Sequence, residues 1–137
     1  MNISSRCEYA CRAVYELARG YRTGGPITAT VIAEQRGIPE QYLVHILLQL
    51  KRSGIVRSVR GAQGGYLLDR QPGEITLRDV VIAVDGPVFG PLSGGGDELP
   101  ELTFAWKEVA DGIEAVLGNI TFQSLLDRTS PTGMYYI

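Results

Sequence analysis

Residues 33–66 constrain the fold of this chain more strongly than any other segment, and they read AEQRGIPEQYLVHILLQLKRSGIVRSVRGAQGGY. The first residues predict the end of a short helix, and Gly37 predicts a turn, where a positive φ is often required. Ile38 and Pro39 start a second helix, because proline suits a first helical turn and has no N–H donor to leave unsatisfied. The segment therefore predicts a helix-turn-helix.

The second helix of this motif has two faces of different chemistry. One face is apolar at the spacing of a helical stripe and should face a core; it consists of Leu43, Ile46, Leu47 and Leu50. The other face carries Gln41, Val44, His45, Gln49 and Arg52. Because recognition helices place their N-terminal side chains in the DNA major groove, we expect Gln41, Val44 and His45 to reach base edges. A solvated helix face is the alternative interpretation of this pattern alone.

A glycine-tipped hairpin, or wing, follows the second helix. Gly54 ends the helix, and two short apolar runs, residues 55–59 and 66–68, flank the tip RGAQGG. Such a wing can lay Arg60 in a minor groove and place backbone N–H groups near phosphates. The wing residues that we predict to contact DNA are Arg57, Arg60, Gly61, Gln63 and Gly64. The alternative is that the arginines are ordinary solvent-facing charges and that the glycines only permit the turn.

The sequence does not carry the motifs of an enzyme. The glycines of the wing do not predict a phosphate-binding loop, because no Gly-Lys-Ser/Thr ending and no helix follow them. The chain has one histidine, and neither a Ser-His-acid arrangement nor a metal-ligand cluster is identifiable by motif. We therefore predict that the protein is not an enzyme.

The distribution of charge favours a DNA partner more than the total charge does. The formal net charge is −2, but residues 1–70 contain ten Lys and Arg against five Asp and Glu, a net charge of +5. Residues 71–137 contain three against ten, a net charge of −7. The basic half contains the helix-turn-helix and the wing, and a local basic face matters more for phosphate binding than the total charge.

The segments around this motif predict further helices, so that the fold is mostly α with one small β-hairpin. Ser5 and Glu8 have the spacing of a capping box at the start of a first helix, and Thr28 suits the N-cap of a short helix before Gly37. After the wing, residues 76–79 have the form of a second capping box.

The C-terminal part predicts a loop and a long helix. Residues 87–100 are rich in glycine and proline, which predicts a flexible loop. Apolar residues then alternate steps of four and three, a seam that suits a long helix packed on a helix of a symmetry mate or of the same chain: Leu102, Trp106, Val109, Ile113 and Val116. The predicted organisation is a winged helix-turn-helix DNA-binding domain at 1–86, the loop at 87–100, and a dimerisation helix with a C-terminal arm at 101–137.

The sequence contains no run of 18 or more apolar residues and no apolar signal core at its N-terminus. We therefore expect a cytoplasmic protein without a membrane partner.

Several motifs resemble the Rrf-two family of bacterial transcription regulators. They are Asn2-Ile3-Ser4, Glu8-Tyr9-Ala10, Ile32-Ala33-Glu34, Gly37-Ile38, Tyr42-Leu43, Val59-Arg60-Gly61-Ala62, Gly64-Gly65-Tyr66-Leu67, Ile75-Thr76-Leu77-Arg78-Asp79-Val80 and Asp85-Gly86-Pro87. The resemblance implies a winged helix-turn-helix homodimer that binds a roughly palindromic operator in double-stranded DNA, with the long helix as the dimer element. It implies base-reading positions for Val44 and His45 and a minor-groove position for Arg60. Val44 departs from the polar residues common at its position, where an apolar contact with a thymine methyl would take their place.

The resemblance also raises the question of an iron–sulfur cluster, which many members hold with three cysteines in the loop between the last two helices. Residues 86–101 of this chain contain no cysteine, so we predict no cofactor and no metal site. Cys7 and Cys11 lie on one face of the first helix, at a spacing that disfavours a disulfide. We interpret them as two partly buried side chains, with a thiol-based redox sensor as the alternative.

A second alternative is a winged-helix interaction module controlled by a partner protein. Its contact patch would be the loop residues Val88, Phe89 and Leu92. The effector of the protein would then be a regulatory protein rather than a small molecule.

Overall fold

The computed structural model of the protein describes residues 3–87 and 99–128. Its helices are α1 (Ser5–Arg19), α2 (Ala29–Arg36), α3 (Glu40–Arg52), α4 (Leu77–Asp85), α5 (Pro100–Asn119) and α6 (Phe122–Arg128), and its strands are β1 (Val56–Val59) and β2 (Gly65–Leu68). The prediction of a mostly helical fold with one small hairpin is confirmed. The patch formed by Val88, Phe89 and Leu92 and the end of the C-terminal arm lie outside the described residues.

Helix α1 begins one residue earlier than the predicted capping box required. The Oγ atom of Ser4 accepts a hydrogen bond from the backbone N–H of Cys7 at 3.0 Å, so Ser4 is the N-cap and Ser5 is already helical. Glu8 then lies beyond the reach of a capping side chain and pairs instead with Arg12 at 3.2 Å. The predicted capping box of Ser5 and Glu8 is therefore wrong.

A helix-turn-helix forms the centre of the fold, as predicted. Gly37 has a φ of 64° and a ψ of 42°, the left-handed conformation that a turn between α2 and α3 requires. Thr28 caps α2 by accepting a hydrogen bond from Val31 N–H at 3.2 Å, which confirms its predicted role. Pro39 lies just before α3 as its N-cap rather than inside the first turn. The predicted apolar stripe of α3 is buried in the core: Leu43, Ile46, Leu47 and Leu50.

A buried carboxylate fixes α2 against α1. Glu16 on α1 is 8% exposed, and its Oε1 atom lies 2.7 Å from Nε of Arg36 at the end of α2. Arg19 approaches the same oxygen at 3.2 Å, and the Arg36 guanidinium lies 4.9 Å from the ring centre of Tyr15. Because two cations share this carboxylate, its burial is compensated. The first helix of the motif is thereby held in place.

The wing is tied to the segment that precedes α2. Strands β1 and β2 are antiparallel, with Val56 opposite Leu68 and Val59 opposite Gly65. Ile27 and Tyr66 exchange two backbone hydrogen bonds, of 3.0 and 2.8 Å, which add a single-residue third strand. No local pattern in the sequence predicts this contact of Ile27.

The C-terminal helices join the core of the winged-helix domain. The predicted capping box of α4 is confirmed between Thr76 and Asp79. Backbone hydrogen bonds of 2.9 and 3.0 Å connect Leu77 to Ile120 and Phe122 to Ile75. The side chain of Phe122, within the predicted dimerisation helix and C-terminal arm at residues 101–137, is fully buried in the main core. Helix α6 is part of the domain because this aromatic ring completes its core.

Among the described residues, helix α5 contacts the rest of the fold through its second half. Glu114 pairs with Arg78 of α4 at 3.1 Å, and Ile113 is half-buried. By contrast, every residue from 99 to 109 is exposed. The first half of α5 therefore has no packing partner in the part of the chain that the structure describes. None of the described helices combines the length and apolar character needed to cross a membrane.

Candidate nucleic-acid interface

The outer face of α3 lies directly opposite its buried stripe. A row of exposed side chains at spacings of three or four runs along this face: Gln41, His45, Leu48 and Arg52. Three of these were predicted to contact DNA, whereas Leu48 was not. Leu48 is 45% exposed. The sequence did indicate this exposure, because Leu48 lies outside the apolar stripe of the helix.

The flank of α3 that carries Val44 faces the wing. Val44 is 52% exposed, and Lys51 lies two turns further along the same flank. The Nζ atom of Lys51 donates a hydrogen bond to Oγ of Ser58 in β1 at 3.0 Å. This contact joins α3 to the first strand of the wing.

The opposite flank of α3 faces the start of α1. Tyr42 lies with its ring centre 6.0 Å from that of Tyr9. Further along the flank, Arg6 of α1 lines a shallow depression with Gln49 and His45. Arg6 was not among the predicted contact residues, because its proximity to α3 depends on tertiary packing.

The tip of the wing is open to solvent. Arg60, Gly61 and Gln63 are exposed, and Gly64 is half-buried. The N–H of Gly64 donates to the carbonyl of Gly61 at 2.9 Å, and a Cβ atom at Gly64 would lie 2.2 Å from the carbonyl oxygen of Val59. The turn is therefore too tight for a side chain at Gly64. Within the described residues, Arg60 forms no ion pair, which leaves its guanidinium available to a ligand.

Arg57 is separated from the α3 side of the wing. Successive strand residues point to opposite faces, and Ser58 is the neighbour that faces α3. The guanidinium of Arg57 instead lies 3.8 Å from the carboxylate of Asp69. The structure thus places Gln41, His45 and Arg52 on the outer face of α3, Val44 on the flank beside the wing, and Arg57 on the far side of the hairpin.

The predicted seam of α5 forms a second candidate surface. Leu102, Trp106, Val109 and Val116 are 46–60% exposed, whereas Ile113 is half-buried against the protein itself. Phe104, which is 72% exposed, lies on the other side of the helix and was not predicted to belong to the seam. The described residues therefore leave a large apolar area uncovered along the first half of α5.

A reactive thiol needs both a lowered pKa and solvent access, and here these two properties belong to different cysteines. Cys7 is 1% exposed and Cys11 is half-buried. The S–H group of Cys11 donates a hydrogen bond to the Cys7 sulfur, which lowers the pKa of Cys7 and raises the pKa of Cys11. The more acidic thiol is thus the covered one, whereas redox-active cysteines are both acidic and accessible. In the described part of the chain, no group of three or more His, Cys, Asp or Glu side chains could hold a metal ion.

The whole described fold matches known transcription regulators. Residues 3–128 match the Rrf2 (Rrf-two) family, described as "Iron-dependent Transcriptional regulator". The chain is 32% identical over 140 residues to the HTH-type transcriptional regulator CymR of Bacillus subtilis, and the alignment covers 100% of each protein. The solved structure of CymR, the global cysteine regulator of B. subtilis, aligns with a TM-score of 0.86 and 32% identity over 95% of this chain and 99% of that chain. The structure of T. potens IscR aligns with a TM-score of 0.81 and 31% identity over 100% of this chain and 94% of that chain.

The family and these relatives consist of regulators and not of enzymes, as the sequence predicted. The match at residues 3–128 includes all six helices and both strands of the described fold. The chain therefore belongs to the Rrf2 family of winged helix-turn-helix, DNA-binding transcription regulators.

Proposed function

We propose that this regulator is a cytoplasmic homodimer that binds a palindromic operator without an iron–sulfur cluster. Helix α3 would enter the major groove, and Arg60 of the wing would enter the adjacent minor groove. The observation that carries the proposal is the exposed surface formed by α3 and the wing, where Arg52 and Arg60 have no ion pair with a described residue. Unpaired guanidinium groups on such a face are suited to phosphates and base edges.

The residues of α3 suggest how the bases are read. Gln41 and His45 carry hydrogen-bonding groups and lie in the first half of the helix, the part that reaches base edges. Val44 is an exposed apolar side chain, which suits a contact with a thymine methyl group. We therefore propose an operator in which each half-site includes at least one A·T pair opposite this part of α3.

The first half of α5 supports a second copy of the chain as the dimer partner. It is a long helix that exposes a row of apolar side chains, and an antiparallel or crossed copy of the same helix would cover them. A two-fold dimer places two recognition helices on one side of the duplex. This symmetry is the reason that we propose a palindromic operator.

Replacing Arg60 with alanine tests the DNA-binding mode. An operator is first selected from random duplex DNA with the wild-type protein, and fluorescence anisotropy then gives the dissociation constants. We expect Arg60→Ala to weaken operator binding by about 1–3 kcal/mol, because the wing loses its minor-groove contact. Arg128→Ala, which removes the same charge from an exposed position on α6, should bind like the wild type. Failure of the wild type to prefer any selected sequence over random duplex would refute the proposed function.

The donor set of the chain does not fit a cysteine-ligated iron–sulfur cluster. The complete sequence contains two cysteines, and neither lies in residues 86–101. Cys7 is 1% exposed, so a cluster ligated partly by a second subunit could not reach its sulfur without disrupting α1. Since such clusters are held mainly by four thiolates, two thiols on one helix are insufficient.

Anaerobic purification tests this part of the proposal. We expect a colourless protein without stoichiometric iron or acid-labile sulfide, and we expect it to bind the selected operator at full affinity. The control is a sample incubated with ferrous iron and sulfide and then desalted, which should give the same dissociation constant. A coloured protein whose operator affinity depends on the bound iron would contradict the cluster-free proposal.

A further inference from the structure

A shallow depression lies between the first turn of α1 and the outer face of α3. Its volume is about 390 Å³, and its lining consists of Arg6, His45, Leu48, Gln49 and Arg52. The backbone turn that carries Arg6 is anchored, because Ser4 caps this turn and its hydroxyl donates to Asp85 of α4 at 2.8 Å. The start of α1 is thus anchored beside the recognition helix.

The lining of this depression is suited to an anion. Two guanidinium groups, an imidazole and a carboxamide face it, and no carboxylate is among the lining residues. Neither Arg6 nor Arg52 forms an ion pair within the described residues. Six other arginines of the described chain do have carboxylate partners: Arg12, Arg19, Arg36, Arg57, Arg70 and Arg78. The pair at the depression is therefore left with uncompensated positive charge.

The surroundings of the depression favour a phosphate of the DNA backbone as the anion. If α3 lies in the major groove, as proposed above, the two phosphate backbones that border the groove pass along its two flanks. Lys51 and the wing occupy one flank, and the depression extends from the outer face to the other flank, where Gln49 and Arg6 line it. Leu48, 45% exposed at the edge of the depression, offers an apolar contact that suits a deoxyribose better than a free inorganic anion.

We propose that Arg6 and Arg52 bind one phosphodiester group of the operator on the α1 side of the major groove, with Gln49 as an additional hydrogen-bond donor. The inference rests on the proposed DNA-binding function and adds a residue of α1 to the interface. Because a phosphate contact carries no sequence information, Arg6 positions α3 in the groove while His45 remains available to the bases.

The salt dependence of DNA binding tests this contact. The Arg6→Ala protein is compared with the wild type and with Arg128→Ala, on the selected operator and on random duplex, over a series of salt concentrations. We expect Arg6→Ala to lose a similar factor on both DNAs, roughly five- to tenfold per subunit, and to reduce the slope of log K against log salt by about one per subunit, hence about two for the bound dimer. The sequence preference should not change. Arg6→Lys should retain the slope, since it keeps the charge.

The remaining outcomes separate failure of the phosphate contact from failure of the proposed function. If Arg6→Ala has the affinity and slope of Arg128→Ala while the wild type still binds its operator, the phosphate contact is refuted and the proposed function stands. A change in base preference would show that Arg6 reads sequence, and would also refute it. Absence of any operator preference in the wild type would overturn both proposals.

A free phosphate ion offers the depression the same charged oxygens as a phosphate of the DNA backbone. A thermal-shift titration with inorganic phosphate distinguishes it from the DNA backbone. We expect millimolar phosphate to change the melting temperatures of the wild type and Arg6→Ala equally. A stabilisation that requires Arg6, combined with unchanged DNA binding by Arg6→Ala, would assign the depression to a small anionic effector and overturn the inference.

Discussion

Replacing Trp106 with aspartate should convert the protein to a monomer and weaken operator binding about 10²–10⁴-fold, the factor by which two linked binding modules exceed one. Trp106 is 56% exposed in the middle of the α5 seam, between Leu102 and Val109. In a dimer this side chain would be desolvated, and a carboxylate at the same place would be buried without a partner. Sedimentation equilibrium measures the loss of dimer, and anisotropy on full and half operators measures the loss of affinity.

The monomer should nevertheless remain folded. Residues 99–109 are all exposed, so Trp106 makes no contribution to the core that the described residues form. Circular dichroism should therefore be unchanged at equal temperature. Ala115→Asp is the matched control, because it adds the same charge to an exposed position on the opposite side of α5. If Trp106→Asp remains a dimer, or if both variants dissociate equally, the seam is not the dimer contact.

Elements that depend on local signals could be predicted from the sequence. The apolar stripe of α3 repeats at helical spacing, and its four residues are all buried. Gly37 and the Thr76–Asp79 capping box are short motifs whose geometry depends on three or four neighbouring residues. Local patterns of this kind specify an element without reference to the rest of the fold.

The start of α1 shows where a local pattern is ambiguous. Ser4 and Ser5 are adjacent, and either could serve as an N-cap. Glu8 favoured Ser5, because it completes a capping-box pattern. The structure instead uses Ser4, whose hydroxyl also bonds Asp85, 81 positions further along the chain. The use of Ser4 as the N-cap thus goes together with a contact to a distant residue, which a local sequence pattern cannot predict.

Contacts between distant residues also explain why the sequence did not predict every residue of the candidate interface. Arg6 lies in the first turn of α1, and only the packing of α1 on α3 brings it to the recognition face. Ile27 pairs with Tyr66 across 39 positions, and an isolated bridge of one residue has no alternating pattern to reveal it. The burial of Phe122 depends equally on the approach of α6 to α1 and to the short helical turn Pro72–Glu74. Tertiary packing, rather than propensity, decides these three positions.

Replacing Gly65 with alanine should detach the wing from the segment before α2. Gly65 has a φ of 150°, and an added Cβ atom would lie 2.6 Å from both the carbonyl carbon and the carbonyl oxygen of Ile27. The neighbouring atoms belong to the backbone, so no side-chain rotation can relieve the clash. We expect the strain to cost about 1–3 kcal/mol. Each of the two hydrogen bonds between Ile27 and Tyr66, if broken, should add about 0.5–1.5 kcal/mol.

Urea unfolding measures the loss of stability that Gly65→Ala causes, and amide hydrogen exchange at Ile27 and Tyr66 locates it. We expect faster exchange at these two amides while the buried helices keep their protection, because the change affects the edge of the fold first. Operator affinity should also fall, since Arg60 is carried by the displaced hairpin. Gly25→Ala is the matched control: it lies two residues before Ile27, and an added Cβ there would meet no atom within 4 Å. If Gly65→Ala matches Gly25→Ala in stability, exchange and operator affinity, the bridge between Ile27 and Tyr66 does not hold the wing in its binding position.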